Sequence, residues 1–94
     1  MFGMKKIEKQ LNSLIVVARV IGLKEVDILA SQEFLGYGEY GLCFDYLITQ
    51  LYEYELAIDE NAYNLIEKIA VGMKLDSDSY VFMKELIGGN NLDG

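Results

Sequence analysis

Apolar side chains recur every three or four positions at the start of the chain, which is the spacing of an α-helix with one buried face. Residues 14–21 are rich in β-branched side chains and on that ground would also suit a buried strand. The helical period is unbroken from Met4, however, so it predicts a first helix that ends near Gly22. The residues expected on its buried face are Met4, Ile7, Leu11, Leu14, Ile15, Ala18 and Ile21.

A shorter helical pattern follows and predicts a second helix over about residues 25–35. Gly36 stands just after it, where a glycine commonly ends a helix, and residues 36–38 then form the expected turn. The residues expected to face the core are Val26, Leu29, Ala30 and Phe34.

The strongest pattern covers residues 38–58 and predicts the central helix of the fold. This helix is expected to end within residues 51–56, where apolar and polar side chains alternate as in a strand. Its apolar face consists of Tyr40, Cys43, Phe44, Leu47, Ile48, Leu51 and Tyr54. The opposite face carries Glu39, Leu42, Asp45, Tyr46, Thr49, Tyr52 and Glu53. A solvated face does not need this mixture of carboxylates and tyrosines, so we interpret it as a binding surface.

Two more helical segments complete the chain. Asp59 is suited to cap a fourth helix, because its carboxylate can accept from free backbone N–H groups, and Glu60 favours the positive end of that helix. This helix runs to about Lys74, and its expected core residues are Ala62, Leu65, Ile66, Ile69 and Met73. A fifth helix begins at Asp76 or Ser77, carries Tyr80, Phe82, Met83, Leu86 and Ile87, and stops at Gly88 and Gly89. Residues 90–94 are expected to fray.

The order of these segments predicts an all-α fold, a compact bundle of about five short helices around the central amphipathic helix. The sequence has no proline, the strongest helix breaker. Ninety-four residues are enough for one hydrophobic core but not two, so residues 1–94 are expected to form a single domain.

The central segment also carries a resemblance to a known family. The run Gly38-Glu39-Tyr40-Gly41-Leu42 is followed by Leu51-Tyr52-Glu53-Tyr54, then by Asp59-Glu60 and Tyr63-Asn64-Leu65-Ile66-Glu67. In this order the motifs resemble the MafI-type immunity proteins, over about residues 28–75. Bacteria pair such proteins with secreted polymorphic toxins, including those of contact-dependent inhibition systems. The resemblance implies a small cytoplasmic helical protein that binds and neutralises one toxin, often an RNase of the EndoU type.

The charge distribution bears independently on the partner. Residues 1–24 hold five basic residues and one acidic residue, whereas residues 25–94 hold three basic and fourteen acidic residues. Acidic composition is common for solubility alone, but it also repels nucleic acid and attracts basic partners. We therefore expect a basic partner and no direct contact with nucleic acid.

The residue types argue against catalysis. There is no histidine, the commonest general base near neutral pH and the commonest metal ligand. The single cysteine, Cys43, lies on the expected core face, which suits a buried thiol in a reducing compartment. The acidic pairs Asp59/Glu60 and Asp76/Asp78 fall where helix capping explains them. We expect no enzymatic activity, no cofactor and no metal site, and we expect neither a signal peptide nor a membrane span.

The leading hypothesis is an immunity protein that neutralises a secreted toxin domain by occluding its active site or substrate path. The expected partner is the toxin's C-terminal domain, a basic nuclease, bound by a monomer in a 1:1 complex in the cytoplasm. The predicted toxin-binding residues are Glu39, Asp45, Tyr46, Thr49, Tyr52 and Glu53 on the central helix, and Asp59, Glu60 and Asn64 at the start of the fourth. The alternative is an acidic effector escort or secretion chaperone, which would hold an unfolded export segment.

Overall fold

Helices form the regular structure of residues 2–88, the part of the chain that the computed structural model describes, with side chains described over residues 4–88. The α-helices are α1 (Phe2–Ile21), α2 (Glu25–Gly36), α3 (Tyr40–Glu53) and α4 (Glu60–Gly72). Two short 3₁₀ helices follow, Ser77–Ser79 and Val81–Leu86. The predicted all-α fold class is confirmed, and the fifth predicted segment is helical as two 3₁₀ helices in succession. The predicted fraying of residues 90–94 lies outside the described residues.

The first helix is confirmed over its whole predicted length, including the β-branched residues 14–21, which are helical rather than extended. Its core residues between Ile7 and Ala18 are buried, but Met4 is half exposed, contrary to expectation. The reason is the extent of α4, whose last residue, Gly72, already lies beside Ile7. Met4, about one turn earlier on α1, therefore projects beyond the end of α4.

The core is built where α1 and α3 cross the other elements. Helix α1 packs against α2, α3 and α4, and α3 packs against α1, α2 and the second 3₁₀ helix. The fully buried side chains of α3 are Cys43, Phe44, Leu47, Ile48 and Leu51, which confirms the predicted apolar face over its central turns.

The predicted burial of Tyr54, at the end of that face, is wrong. This residue was expected in the core but is 44% exposed, because α3 ends at Glu53 and leaves Tyr54 as its C-cap. The ammonium group of Lys24 lies 4.8 Å from the centroid of its ring, a cation–π contact at the surface.

The buried face of α2 is also different from the predicted one. Val26 and Leu29 were expected in the core, but they are 67% and 57% exposed. Instead α2 buries Asp27, Ile28, Ser31 and Leu35. The two polar members have internal partners: the Ser31 hydroxyl donates to the Ile28 carbonyl at 2.8 Å, and Asp27 accepts from side chains of α3. Because these hydrogen bonds offset the cost of burying polar groups, the helix can turn this face inward.

All four α-helices end in the same hydrogen-bonded motif. One of the first two residues after each helix has positive φ, and its N–H and the next N–H bond back to carbonyls of the last turn, which is a Schellman motif. At these four helix ends, the residues with positive φ are Gly22, Gly38, Glu55 and Lys74. After α2, Gly38 rather than the predicted Gly36 takes this conformation, since Gly36 is still helical.

The start of α4 is fixed as predicted. The Asp59 carboxylate accepts from the Ala62 N–H at 2.8 Å, an N-cap bond. Just before it, Ile58 forms an isolated parallel bridge with Ile87, and its N–H donates to the Leu86 carbonyl at 3.0 Å. This bridge holds the end of the described chain against the α3–α4 linker.

Candidate partner-binding surface

The predicted binding face of α3 is exposed along its centre. Leu42, Asp45, Thr49 and Glu53 are all exposed and follow one another at spacings of three or four residues, so they form one continuous stripe. We call these four residues the α3 stripe. Glu39, the N-cap of α3, is also exposed and lies at its N-terminal end. The stripe is therefore available to a partner and carries two carboxylates, with a third beside it.

Tyr46 lies at the edge of the stripe and contacts α2. Its hydroxyl donates to Asp27 Oδ1 at 2.7 Å, and its ring packs against Phe34 with 5.8 Å between centroids. The Gln50 amide donates to the same carboxylate oxygen at 3.2 Å. Asp27 is only 4% exposed, and its Oδ2 is buried without a hydrogen-bond partner. The hydrogen bond to Asp27 is the main reason why the pKa of Tyr46 lies above its ordinary value, with burial adding to it.

Tyr52 lies at the opposite edge and contacts the second 3₁₀ helix. Its hydroxyl donates to Glu85 at 2.8 Å, and its ring meets the Phe82 ring edge to face with 4.9 Å between centroids. The bond to Glu85 is the first cause of the raised pKa of Tyr52. Both predicted interface tyrosines are thus half buried and hold neighbouring elements against α3, so they border the stripe rather than projecting from it.

The predicted residues of α4 form a second, separate group. Asp59, Glu60 and Asn64 are exposed, but α4 packs on α1, and the second 3₁₀ helix contacts both α3 and α4. The carboxylate of Asp59 is already engaged in capping α4. The six predicted residues of α3 thus lie together on one helix. The three predicted residues of α4 lie on a different helix and do not continue that face.

Ion pairing leaves the α3 stripe unneutralised. Among the described side chains, the only pair of opposite charges within salt-bridge distance is Arg19 with Glu25, at 2.6 Å. Within residues 4–88, no lysine or arginine nitrogen therefore lies within salt-bridge distance of the carboxylates of Glu39, Asp45 and Glu53. An exposed acidic surface of this kind retains its field for an approaching basic partner.

Reactive groups are scarce in the described part of the chain. No group of three or more potential metal ligands among histidine, cysteine, aspartate and glutamate comes together there. Cys43 is fully buried, and burial raises the pKa of its thiol to about 11. The thiol is therefore protonated at neutral pH and is a poor nucleophile.

Sequence reasoning missed two exposed features. Tyr37 is the most exposed tyrosine, at 78%, and lies in the turn that leads into α3, five residues before Leu42, which is 50% exposed. Its position between Gly36 and Gly38 could have predicted this exposure, because a turn has few neighbouring side chains that could bury a large ring. The second feature is an apolar groove between α1 and α4, bordered by exposed valines that do not fit the core spacing of α1.

Three comparisons with known proteins found no match to this chain. A scan against protein-family models gives no match, and searches of curated proteins and of solved structures give none either. Within residues 2–88, none of the helices combines the length and the apolar composition that crossing a membrane requires.

Proposed function

We propose that this protein is an immunity protein that binds and neutralises the C-terminal domain of a secreted toxin, an RNase of the EndoU type. The motifs of residues 38–67 supply the family resemblance. The observation that carries the proposal in the structure is the α3 stripe, which is exposed, acidic and unpaired with any basic side chain among the described residues.

The stripe suits the inhibition of an RNase for an electrostatic reason. An RNase must hold phosphates in a positively charged cleft, and fixed carboxylates compete for the same charges. Because α3 is packed on α1, α2 and the second 3₁₀ helix, the stripe is held on a rigid element. Ordering it on binding therefore costs little conformational entropy. Occlusion of the cleft or of the path of the RNA requires no chemistry from the inhibitor.

Tyr37 and Leu42 add apolar contact to this acidic surface. Both are exposed, and in the sequence they flank Glu39, which lies at the N-terminal end of the stripe. Rings and aliphatic side chains that become buried at a partner's surface slow dissociation, whereas charges at the rim speed association. We assign Tyr37 the role of a binding anchor, with an expected cost of about 2 kcal/mol when it is truncated. Tyr46 and Tyr52 add their partly exposed side chains to the same binding surface, at the two edges of the stripe.

The proposal is tested with the toxin domain encoded beside the gene of this chain. Bacteria producing that domain should stop growing, and co-production of this protein should restore growth. The two purified proteins should form a stable complex in a 1:1 ratio. A secreted protein that still binds after deletion of its C-terminal domain would instead indicate an escort, since an escort holds the export segment. If the toxin domain neither binds nor loses activity, the proposal is wrong.

The control variant separates local from global charge. Replacing Glu39, Asp45 and Glu53 by Gln, Asn and Gln changes the net charge from −7 by three units. Replacing Glu8, Asp76 and Asp78 in the same way produces an equal change away from α3, at exposed positions. The first variant should bind the toxin domain more weakly, and the second should bind it as the unmodified protein does.

A further inference from the structure

A groove with an apolar floor runs along the surface between α1 and α4. Its volume is about 680 Å³, and its borders include Val16 and Val20 on α1, Leu65 on α4, and Ile58, Asp59 and Asn61 at the α4 start. Val20 is 82% exposed and Val16 is 59% exposed. These two exposed β-branched side chains adjoin the apolar groove, so together they form one contiguous apolar surface rather than isolated exposed residues.

The helices that form the groove are antiparallel. Ile7 lies beside Gly72, whereas Val17 and Ile21 line the groove together with Ala62 and Leu65. The N-terminus of α1 is therefore next to the C-terminus of α4. One end of the groove has the Asp59 carboxylate in its wall. Towards the other end, the same two helix faces continue into exposed lysines.

Helical register identifies those lysines. Lys9 precedes Val16 by seven residues and so lies on the same face of α1, and Lys68 follows Leu65 by three residues on α4. Both are exposed. At 1.5 Å per residue, Lys9 and Val20 are about 16 Å apart along α1. The groove thus lies between Asp59 at one end and the exposed Lys9 and Lys68 beyond the other, along a segment, residues 1–24, that holds five basic residues and one acidic residue.

We propose that the groove is the interface of a symmetric dimer, in which two copies pack α1 and α4 face to face and antiparallel. A twofold axis at the middle of the groove places the acidic end of each copy against the basic end of the other. Val16 and Val20 of each copy then enter the groove of its partner. Such an isologous contact is self-complementary, as the commonest homodimers are.

The available area is that of a small interface. Helix α1 spans 20 residues and α4 spans 13, so the length that the two helices share is about 20 Å, and two helices packed at 8–10 Å present a face about 20 Å wide. A face of about 400 Å² is about half of the roughly 800 Å² that each partner contributes to a standard interface. We therefore expect a weak dimer, with a dissociation constant on the order of 100 μM. This inference goes beyond the proposed function and does not depend on it, since the α3 stripe remains free in each copy.

The first test is sedimentation velocity on the unmodified chain over about 1–500 μM, a range that brackets the expected constant. The expected result is a shift with concentration from the 10.6 kDa of one chain to twice that mass. Val20→Glu should weaken the dimer at least tenfold, because it places a carboxylate in the apolar contact. Val26→Glu is the matched control, because Val26 is 67% exposed on α2, and the substitution adds the same charge. It should change the constant less than twofold.

A second test addresses the antiparallel arrangement. Asp59→Asn removes the charge and keeps the cap, since asparagine caps helices about as well as aspartate. Lys68→Gln removes the opposite charge. If Asp59 faces Lys68 of the second copy, each change alone weakens the dimer, and the double variant is no weaker than either. Strictly additive losses would overturn this arrangement. A chain that stays monomeric throughout, or that loses dimerisation equally with Val20→Glu and Val26→Glu, would overturn the dimer itself.

Discussion

The hydroxyl of Tyr46 should contribute measurably to the stability of the folded chain. It donates to Asp27 at 2.7 Å, and this carboxylate is only 4% exposed and already has one oxygen without a partner. Tyr46→Phe keeps the ring beside Phe34 but leaves Asp27 with the longer bond from Gln50, at 3.2 Å. A hydrogen bond to a charged group contributes about 1.5–3 kcal/mol, and a buried group left short of partners loses its solvation as well. We therefore expect a loss of about 2 kcal/mol in the free energy of unfolding.

Urea denaturation followed by circular dichroism measures this loss. For a domain of this size the unfolding free energy falls by about 1–2 kcal/mol per molar urea, so the midpoint should move down by about 1–2 M. Tyr37→Phe is the matched control, because Tyr37 is 78% exposed and loses only a solvated hydroxyl. Its midpoint should not move. A loss below about 0.5 kcal/mol for Tyr46→Phe would show that the Asp27 contact adds nothing to stability, and the described basis for the buried face of α2 would be wrong.

Three further changes test the core and the helix ends. Leu47→Ala, at a fully buried position of α3, should lower the unfolding free energy by about 2–5 kcal/mol in the same assay, and a loss under about 0.5 kcal/mol would contradict the packing described. Burial raises the pKa of Cys43 to about 11 from the ordinary 9.0, so the folded state favours the protonated thiol. The free energy of unfolding should therefore fall between about pH 9 and 11, and it should fall more steeply in the unmodified protein than in Cys43→Ala. Equal slopes would refute this. Lys74→Gly should raise stability by about 0.5–1 kcal/mol, because Lys74 has φ of 61° at a position that suits glycine, whereas a decrease would mean that its side chain is needed there.

The positions of the helices were predictable because their apolar residues repeat with the helical period. This holds for α1, whose β-branched residues are helical, and for the central turns of α3. It fails for α2, where apolar residues occur all around the helix, so their spacing does not select a face. The deciding contact is made by Asp27 with Tyr46, nineteen residues away, and a local pattern cannot show it.

The surfaces were predictable to different degrees. The α3 stripe follows from one helix and its periodicity, and its residues are exposed as expected. Tyr46 and Tyr52 lie at the edges of the stripe because they bond to α2 and to the second 3₁₀ helix, respectively. The periodicity of α3 alone cannot predict contacts with these other elements. The groove joins Val16 to Leu65, so it exists only once α1 and α4 have packed. Tertiary contacts, rather than local propensity, determine the features that sequence reasoning missed.

The central claim is that the acidic α3 stripe meets a basic toxin domain, and its most direct test is the association rate measured by surface plasmon resonance at several salt concentrations. The unmodified chain should associate fastest at low salt, because charges beyond about 8–10 Å are screened at ordinary ionic strength. The variant neutralised at Glu39, Asp45 and Glu53 should associate more slowly, with a flatter dependence on salt. The variant neutralised at Glu8, Asp76 and Asp78 should behave like the unmodified chain. Equal rates and equal salt dependence for both variants would contradict the claim that the α3 stripe is the surface the toxin meets.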